Sequence, residues 1–591
     1  MRRLPFVIAL VVATSFVPVA FGASSAAERL RALGDEMLEG EYDLVPAMEA
    51  FAQGAGPRAK RTIIDLAPGF RDRARRMYEG VLERLDKIPR GELDERGRID
   101  HDLLRLEAES GLAENRFPLR DIGILTPNRG LLTLTINVAT GSQPLRTEED
   151  FEAWRVRVEA TAATYDHAIG VVRAAARQGW TTPRALVEKA MRQLEAVASV
   201  PAEEGPFWSV MARYPRVLAP ERRRAYEARY RAALDGKLLP AMRRLAAFAR
   251  DEYLPKARES AGLGALPGGE QAYRALVRKY TTLERSPDEI HALGLAEVAR
   301  IRAKLLEAAR ALGFKGEMRE FSAWLQSQHD NYPFRSGEEV LTRLRATHAR
   351  VEPQLPRLFR RLPKAAFEIR LTDPAVAASA TATYSRPLAD GSRPGVFRIP
   401  VTDPGRVSAS GLTSLLLHEG MPGHHLDIGR GLELDLPRWR KAQSLSVYSE
   451  GWGLYAESLG HELGVYDDPW ALVGRYLAEI HRAARLVVDT GLHAKGWSRE
   501  QAIRYLVEES GLDETNAIVF IERYMASPGQ ALAYKTGELE ILALRDEAKR
   551  ELGARFDLRD FHEAVLAEGQ VSMPILRERV RTWIAKEKLR G

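Results

Sequence analysis

Along most of the chain, apolar residues recur every three or four positions, with charges of both signs between them. That period lays one apolar stripe along a helix and leaves the rest to solvent. It predicts long amphipathic helices, among them Ala27 to Leu38, Phe70 to Ile88 and Glu149 to Arg177. Period-two patterns are scarce. Leu131 to Val138 (LLTLTINV) alternates and is rich in Thr, which predicts a strand. Ala375 to Tyr384 and Val396 to Val401 (VFRIPV), with Asp390-Gly391 and Pro394-Gly395 between, predict a hairpin. Breaks near Gly262 to Gly269 and Asp403 to Gly405 are turns rather than linkers. No solenoid-like repeat is visible. The fold expected is mainly α: a large helical body with a small β-sheet beside one important helix.

Composition narrows the function classes. The 591 residues are 45% hydrophobic and 28% charged, close to the soluble globular average, which excludes a disordered, collagen-like or polytopic membrane chain. The net charge of +6 comes from 87 basic and 81 acidic residues without a concentrated basic stripe, so no nucleic-acid partner is expected. Cysteine is absent, so any metal must sit on His, Asp or Glu. Arg2 and Arg3 precede an apolar stretch from Leu4 to Ala20, and Ala20-Phe21-Gly22 resembles a cleavage site. Residues 1–22 thus read as a secretory signal peptide, too short and too interrupted by Pro18 to span a bilayer. A periplasmic or secreted protein is expected, residues 23–591 forming one helical domain with no stable membrane insertion. Amphipathic helices serve cores and interfaces alike, so oligomeric state is not legible.

The candidate chemistry lies in residues 414 to 428, SLLLHEGMPGHHLDI. In an H-E-x-x-H zinc helix two histidines four apart share a face, and the Glu serves as general base. The fourth position after His418 is Pro422, so the literal motif fails. Proline lacks an N–H and its ring clashes with the carbonyl four residues back, so the helix must kink or bulge. If Met421-Pro422-Gly423 loops out by about two residues, His424 becomes the second ligand; if less, His425 does. The first is favoured. A catalytic zinc needs a third ligand, and residues 446 to 457, SVYSEGWGLYAE, offer Glu450 and Glu457 two turns apart on a following helix. Tyr448, Trp452 and Tyr455 there read as core or pocket wall. Asp489 and His493 share a helical face and read equally as ligand-orienting groups or a surface pair. Arg482 and Arg485, with His481, form an arginine stripe of the kind that usually faces solvent, though it would also suit a peptide C-terminus.

HEGMPGHH, then EGWGLYAE, then PGQALAYKTG, resemble the bacterial domain-of-unknown-function 885 family. Its members are gluzincin-like, distantly similar to angiotensin-converting enzyme, thimet-type oligopeptidases and Taq-type carboxypeptidases. The resemblance spans nearly all of the mature chain, with its specific motifs between residues 375 and 540. It implies a helical gluzincin-like body around a deep cleft, with His418, His424 and Glu450 as zinc (Zn2+) ligands and Glu419 as base. By the same resemblance Tyr534 would donate to the developing oxyanion, and Lys535 or Gln530 would contact a substrate carboxylate or backbone.

The function expected is an exported zinc metallopeptidase acting on a peptide or small amide substrate, with strand Val396 to Val401 pairing to an extended substrate. Two alternatives share the site: an inactive periplasmic peptide-binding or scaffold protein, and a zinc amidase acting on a non-peptide amide.

Overall fold

The computed structural model describes residues 25–590 except 54–55, 144, 215–218, 374–376, 378–380, 389–390 and 392. The tract read from the sequence as a signal peptide, residues 1–22, lies outside the described residues. Helices α1 (Ala26–Leu44), α2 (Phe70–Leu85) and α3 (Glu148–Arg177) stand where the periodicity put them. Ser25 with Glu28 and Thr147 with Asp150 form reciprocal capping boxes that fix the starts of α1 and α3. Further along come α4 (Pro287–Ala311), α5 (Ala409–Glu419), α6 (His424–Glu433), α7 (Ser446–Ser458) and α8 (Pro469–Ala494). The chain closes through α9 (Glu514–Ala526), α10 (Ala533–Leu552) and α11 (Met573–Leu589). No helix among the described residues is long and apolar enough to cross a membrane.

Leu131 to Val138 is not a strand. Leu131–Asn137 is helical and runs into a wide turn at Val138–Ser142. The threonines that suggested a strand instead satisfy backbone carbonyls: the Thr135 hydroxyl donates to Leu131, four residues back in the helix, and the Thr133 hydroxyl to Pro127 ahead of it.

The sheet has three strands, β1 (Phe367–Leu371), β2 (Thr383–Ser385) and β3 (Gly395–Ile399), in the order β1-β3-β2. The expected antiparallel pair is present in shortened form, with Tyr384 opposite Phe397. β1 then adds in parallel on the other side of β3. Both ladders of β3 are therefore occupied, and it cannot accept a substrate strand as expected. Ile369, Phe397 and Ile399 pack with Leu412 and Leu416 of α5, which sets the sheet beneath that helix.

The C-terminal third is built around α8, which packs along α4 and α5, while α7 lies against α10. The α7–α10 approach is glycine-dependent: a Cβ on Gly451 would stand 2.5 Å from the Gly537 Cα, and one on Gly537 would stand 2.0 Å from the Val447 carbonyl oxygen. Lys535, fully buried, ties three helices with ion pairs to Glu297 of α4 (3.1 Å), Glu479 of α8 (2.7 Å) and Glu538 of its own helix (2.6 Å). Such a charge persists in the interior only because it is multiply paired. One core joins the two ends of the chain: Leu30 and Met37 of α1 and Leu576 and Val580 of α11 share it with Leu417, Met421 and Trp452.

Gly451→Ala forces the α7 and α10 backbones apart, and overpacking of that kind costs about 1–3 kcal/mol. We expect a lower thermal midpoint by circular dichroism, with Gly80→Ala, whose added Cβ meets nothing within 4 Å, as the unaffected control.

Candidate metal centre

α5 stops at Glu419 and α6 begins at His424, so the break falls at Gly420–Gly423. It is held from both sides. The Trp452 indole donates to the Pro422 carbonyl at 2.9 Å, and a Cβ on Gly423 would stand 2.0 Å from the His418 carbonyl oxygen and 2.3 Å from that of Leu417. Only glycine permits so close a return of the chain. The detour brings His424 back beside His418, their ring centroids 4.7 Å apart and nearly perpendicular.

Glu450 reaches both rings: its Oε2 is 3.4 Å from His418 Nε2 and 3.6 Å from His424 Nε2. The three donor atoms lie within 4.8 Å of one another, making a possible His-His-Glu metal site. A tetrahedral ion with bonds of about 2.1 Å sets its donors about 3.4 Å apart, so this donor set fits such an ion. The outer nitrogens are also engaged. His418 Nδ1–H donates to Glu457 Oε1 at 2.9 Å, and His424 Nδ1 lies 3.4 Å from Ser449 Oγ. These contacts leave each Nε2 to face the centre, the arrangement that orients a metal-binding imidazole. α7 supplies Ser449, Glu450 and Glu457, and a Cβ on its Gly453 would come within 2.7 Å of the His418 ring.

The electrostatics follow from burial. Burial alone would push the His418 pKa down, but hydrogen bonds to Glu450 and Glu457 carry it up to about 9. Burial opposes ionisation of Glu450, yet hydrogen bonds from His418 and His424 hold it well below the usual carboxylate range. Glu457 is likewise held down against burial by the Arg482 charge, then by the His418 hydrogen bond. The centre thus keeps two ionised carboxylates about its imidazoles.

His425 is turned out of the centre. Its Nε2–H donates to the Ala365 carbonyl at 3.1 Å, and Nδ1 accepts from the Tyr384 hydroxyl at 2.9 Å. Burial pushes its pKa down to about 4, so it is neutral with both nitrogens occupied. Glu419 is buried next to His418, close enough for its charge to act on that ring, and has no hydrogen-bond or ion-pair partner among the described residues. Tyr534 stacks near the His418 ring at 6.4 Å and 19°, and its hydroxyl oxygen accepts from Arg523 Nη2 at 3.4 Å.

Two further residues named from the sequence have partners of their own. Lys535 is fully buried and engaged by three carboxylates, which does not suit a substrate contact. The Gln530 side chain accepts from Arg523. Asp489 and His493 are neither ligand-orienting nor at the surface. Asp489 accepts from the Tyr273 hydroxyl and the Gly529 N–H, while His493 accepts from the Leu263 N–H and donates to the Tyr524 carbonyl. They fix the segment leading into Tyr534. Arg523 and Ser449 were not singled out from the sequence. The spacing of seven between Glu450 and Glu457 puts both on one helical face, a signal that already pointed to Glu457.

A cavity of about 320 Å³ adjoins a second of about 480 Å³; Tyr78, Glu114, Arg120 and Tyr280 line both. Their walls include Ser446 at the start of α7 and Ser527-Pro528 ahead of Tyr534. Neither cavity is lined by His418, Glu419, His424, Glu450 or Tyr534, so this recessed space lies apart from the centre.

A family model described as "Bacterial protein of unknown function (DUF885)" matches residues 48–580. The solved structure of a "putative lipoprotein" from Colwellia psychrerythraea is 30% identical, with a TM-score of 0.87, covering 95% of this chain and 100% of that one. A "putative lipoprotein of unknown function" from Shewanella oneidensis is 17% identical with a TM-score of 0.69, covering 94% and 99%, a likeness of fold alone. A Pyrococcus furiosus carboxypeptidase aligns over 95% of this chain and 99% of its own at 10% identity, but its TM-score of 0.31 carries no argument. No curated protein matches the sequence.

Elemental analysis after dialysis against Zn2+ tests the donor set. We expect His418→Ala, His424→Ala and Glu450→Gln to lose the metal and His425→Ala to retain it. Glu457→Gln should weaken binding by about 10- to 100-fold, the usual effect of removing a partner that orients a ligand.

Proposed function

The chain belongs to the bacterial DUF885 family, and for this member we propose an exported zinc-dependent hydrolase of amide bonds, a peptidase acting on peptide or small amide substrates. The observation that carries the reading is the convergence of His418, His424 and Glu450 beside an unpartnered Glu419. Two imidazoles and one carboxylate suit Zn2+ and leave a fourth position open, as in catalytic rather than structural zinc sites. Export is supported by the N-terminal basic and apolar tract; the sequence holds no cysteine to take a lipid.

When bound, zinc supplies polarisation of the scissile carbonyl and lowers the pKa of water toward about 7. The remaining work falls to the chain's own side chains. Glu419 takes the proton from the attacking water and passes it to the leaving nitrogen; no other described residue engages its carboxylate. Tyr534 donates its O–H to the oxygen that gains negative charge, and a fixed donor of this kind is worth about 3 kcal/mol. Because Arg523 donates to the phenol oxygen, the tyrosine proton is left for that role. Glu457 holds the His418 ring against rotation.

Glu419→Gln keeps the shape and removes the base. We expect it to retain zinc and to lose about 10²- to 10⁴-fold in turnover, the span of general-base catalysis. A peptide-library digest read by mass spectrometry, with and without chelator, provides the measurement. Full turnover by Glu419→Gln overturns the mechanism, and zinc-loaded wild type that cleaves nothing favours a binding protein.

A further inference from the structure

Most buried arginines among the described residues are ion-paired. Arg475 meets Glu479 and Glu538, Arg430 meets Glu563, and Arg440 meets Asp100. Arg157 has no carboxylate but donates to the carbonyls of Arg58 and Arg61 and to the Gln143 amide oxygen. Arg485 of α8 does neither. It is 6% exposed, its Nε and Nη1 are buried without a hydrogen-bond partner, and no described carboxylate pairs with it. An unpaired interior guanidinium is strongly unfavourable unless an anion arrives to meet it.

Its position says which anion. The guanidinium lies over the Tyr534 ring, 4.3 Å from the centroid, and Tyr534 in turn stacks beside His418. Arg523 approaches the hydroxyl end of the same tyrosine; no described carboxylate forms an ion pair with it, though the charge of Glu450 reaches it. Arg482, one turn from Arg485, is matched by Glu457 at 3.7 Å and adds no free charge. His481 is held neutral, its pKa pushed down to about 3 by burial and by Arg482 and Arg485. Two guanidiniums without an ion-paired carboxylate among the described residues thus stand on the Tyr534 side of the centre, one side chain away from a ligand.

We propose that Arg485, assisted by Arg523, seats the C-terminal carboxylate of the substrate, so that cleavage proceeds from the carboxyl end of peptides. The assignment rests on the hydrolytic reading of the metal centre. A peptide always carries one carboxylate at its end, and a guanidinium fork matches that group in two parallel hydrogen bonds. A seat this close to the ligands admits little chain beyond the scissile bond.

One peptide mixture, prepared with free and with amidated C-termini, tests the assignment. We expect wild type to prefer the free acids in kcat/KM by roughly 10- to 100-fold, the range of a hydrogen bond to a charged group. The preference should collapse toward unity in Arg485→Gln, chiefly through KM, and survive in part in Arg485→Lys, with melting curves establishing that both variants fold. Equal cleavage of acids and amides by wild type, an unchanged ratio in Arg485→Gln, or a preference for amidated peptides bearing acidic side chains overturns it. Calorimetry on zinc-stripped protein, with N-acetylphenylalanine and its amide as probes, separates the two readings. Arg485-dependent binding of the acid in a wild type that cleaves nothing leaves the seat standing while the hydrolase reading fails. Cleavage without discrimination does the reverse.

Discussion

The close return of the chain at Gly423 onto the carbonyl oxygens of Leu417 and His418 is the contact on which the centre depends. An uninterrupted helix would carry the second imidazole away from the first, because residues six apart lie on different faces. The detour absorbs the surplus residues, and the Trp452 indole fastens its Pro422 carbonyl from the opposite helix. One tryptophan on α7 therefore stabilises a bend between α5 and α6, while the same helix presents Glu450 and Glu457 to the rings.

The rigidity of that arrangement comes from packing without side chains where helices cross and from charges locked where they meet. Gly451 against Gly537 lets α7 and α10 touch backbone to backbone, and Gly453 opens room for the His418 ring. Lys535 then fastens α10 to α4 and α8 through three carboxylates. Each contact removes freedom from an element that carries a donor or borders one. Imidazoles held by Glu457 and Ser449 need little reorganisation to meet an ion.

Much of this was legible in the sequence. The helices followed from period, and a break after His418 followed from Pro422, whose covalent geometry forbids continuation. The looping of Met421-Pro422-Gly423 that favoured His424 over His425 rested on local geometry; the observed break takes in Gly420 as well, and the two rings diverge, one to Glu450 and the other to Ala365. Partnerships set by tertiary packing were not legible. Leu131 to Val138 alternates like a strand, yet threonine hydroxyls can return to carbonyls in a helix, and the pattern does not distinguish the two uses. Lys535 looked like a substrate contact because its burial depends on Glu297, more than two hundred residues away. The arginines of α8 looked like surface charge because an apolar-faced helix and a fully enclosed one share their period.

The core shared by α1 and α11 couples segments far apart in the chain. A polypeptide emerges amino end first, so α1 leaves the ribosome long before Met573–Leu589 has been made. The shelf that supports Trp452 and Met421 is incomplete until α11 docks. Residues of α11 thus back a bend well over a hundred positions upstream, so the geometry that brings His418, His424 and Glu450 together is held by a helix that contributes none of them.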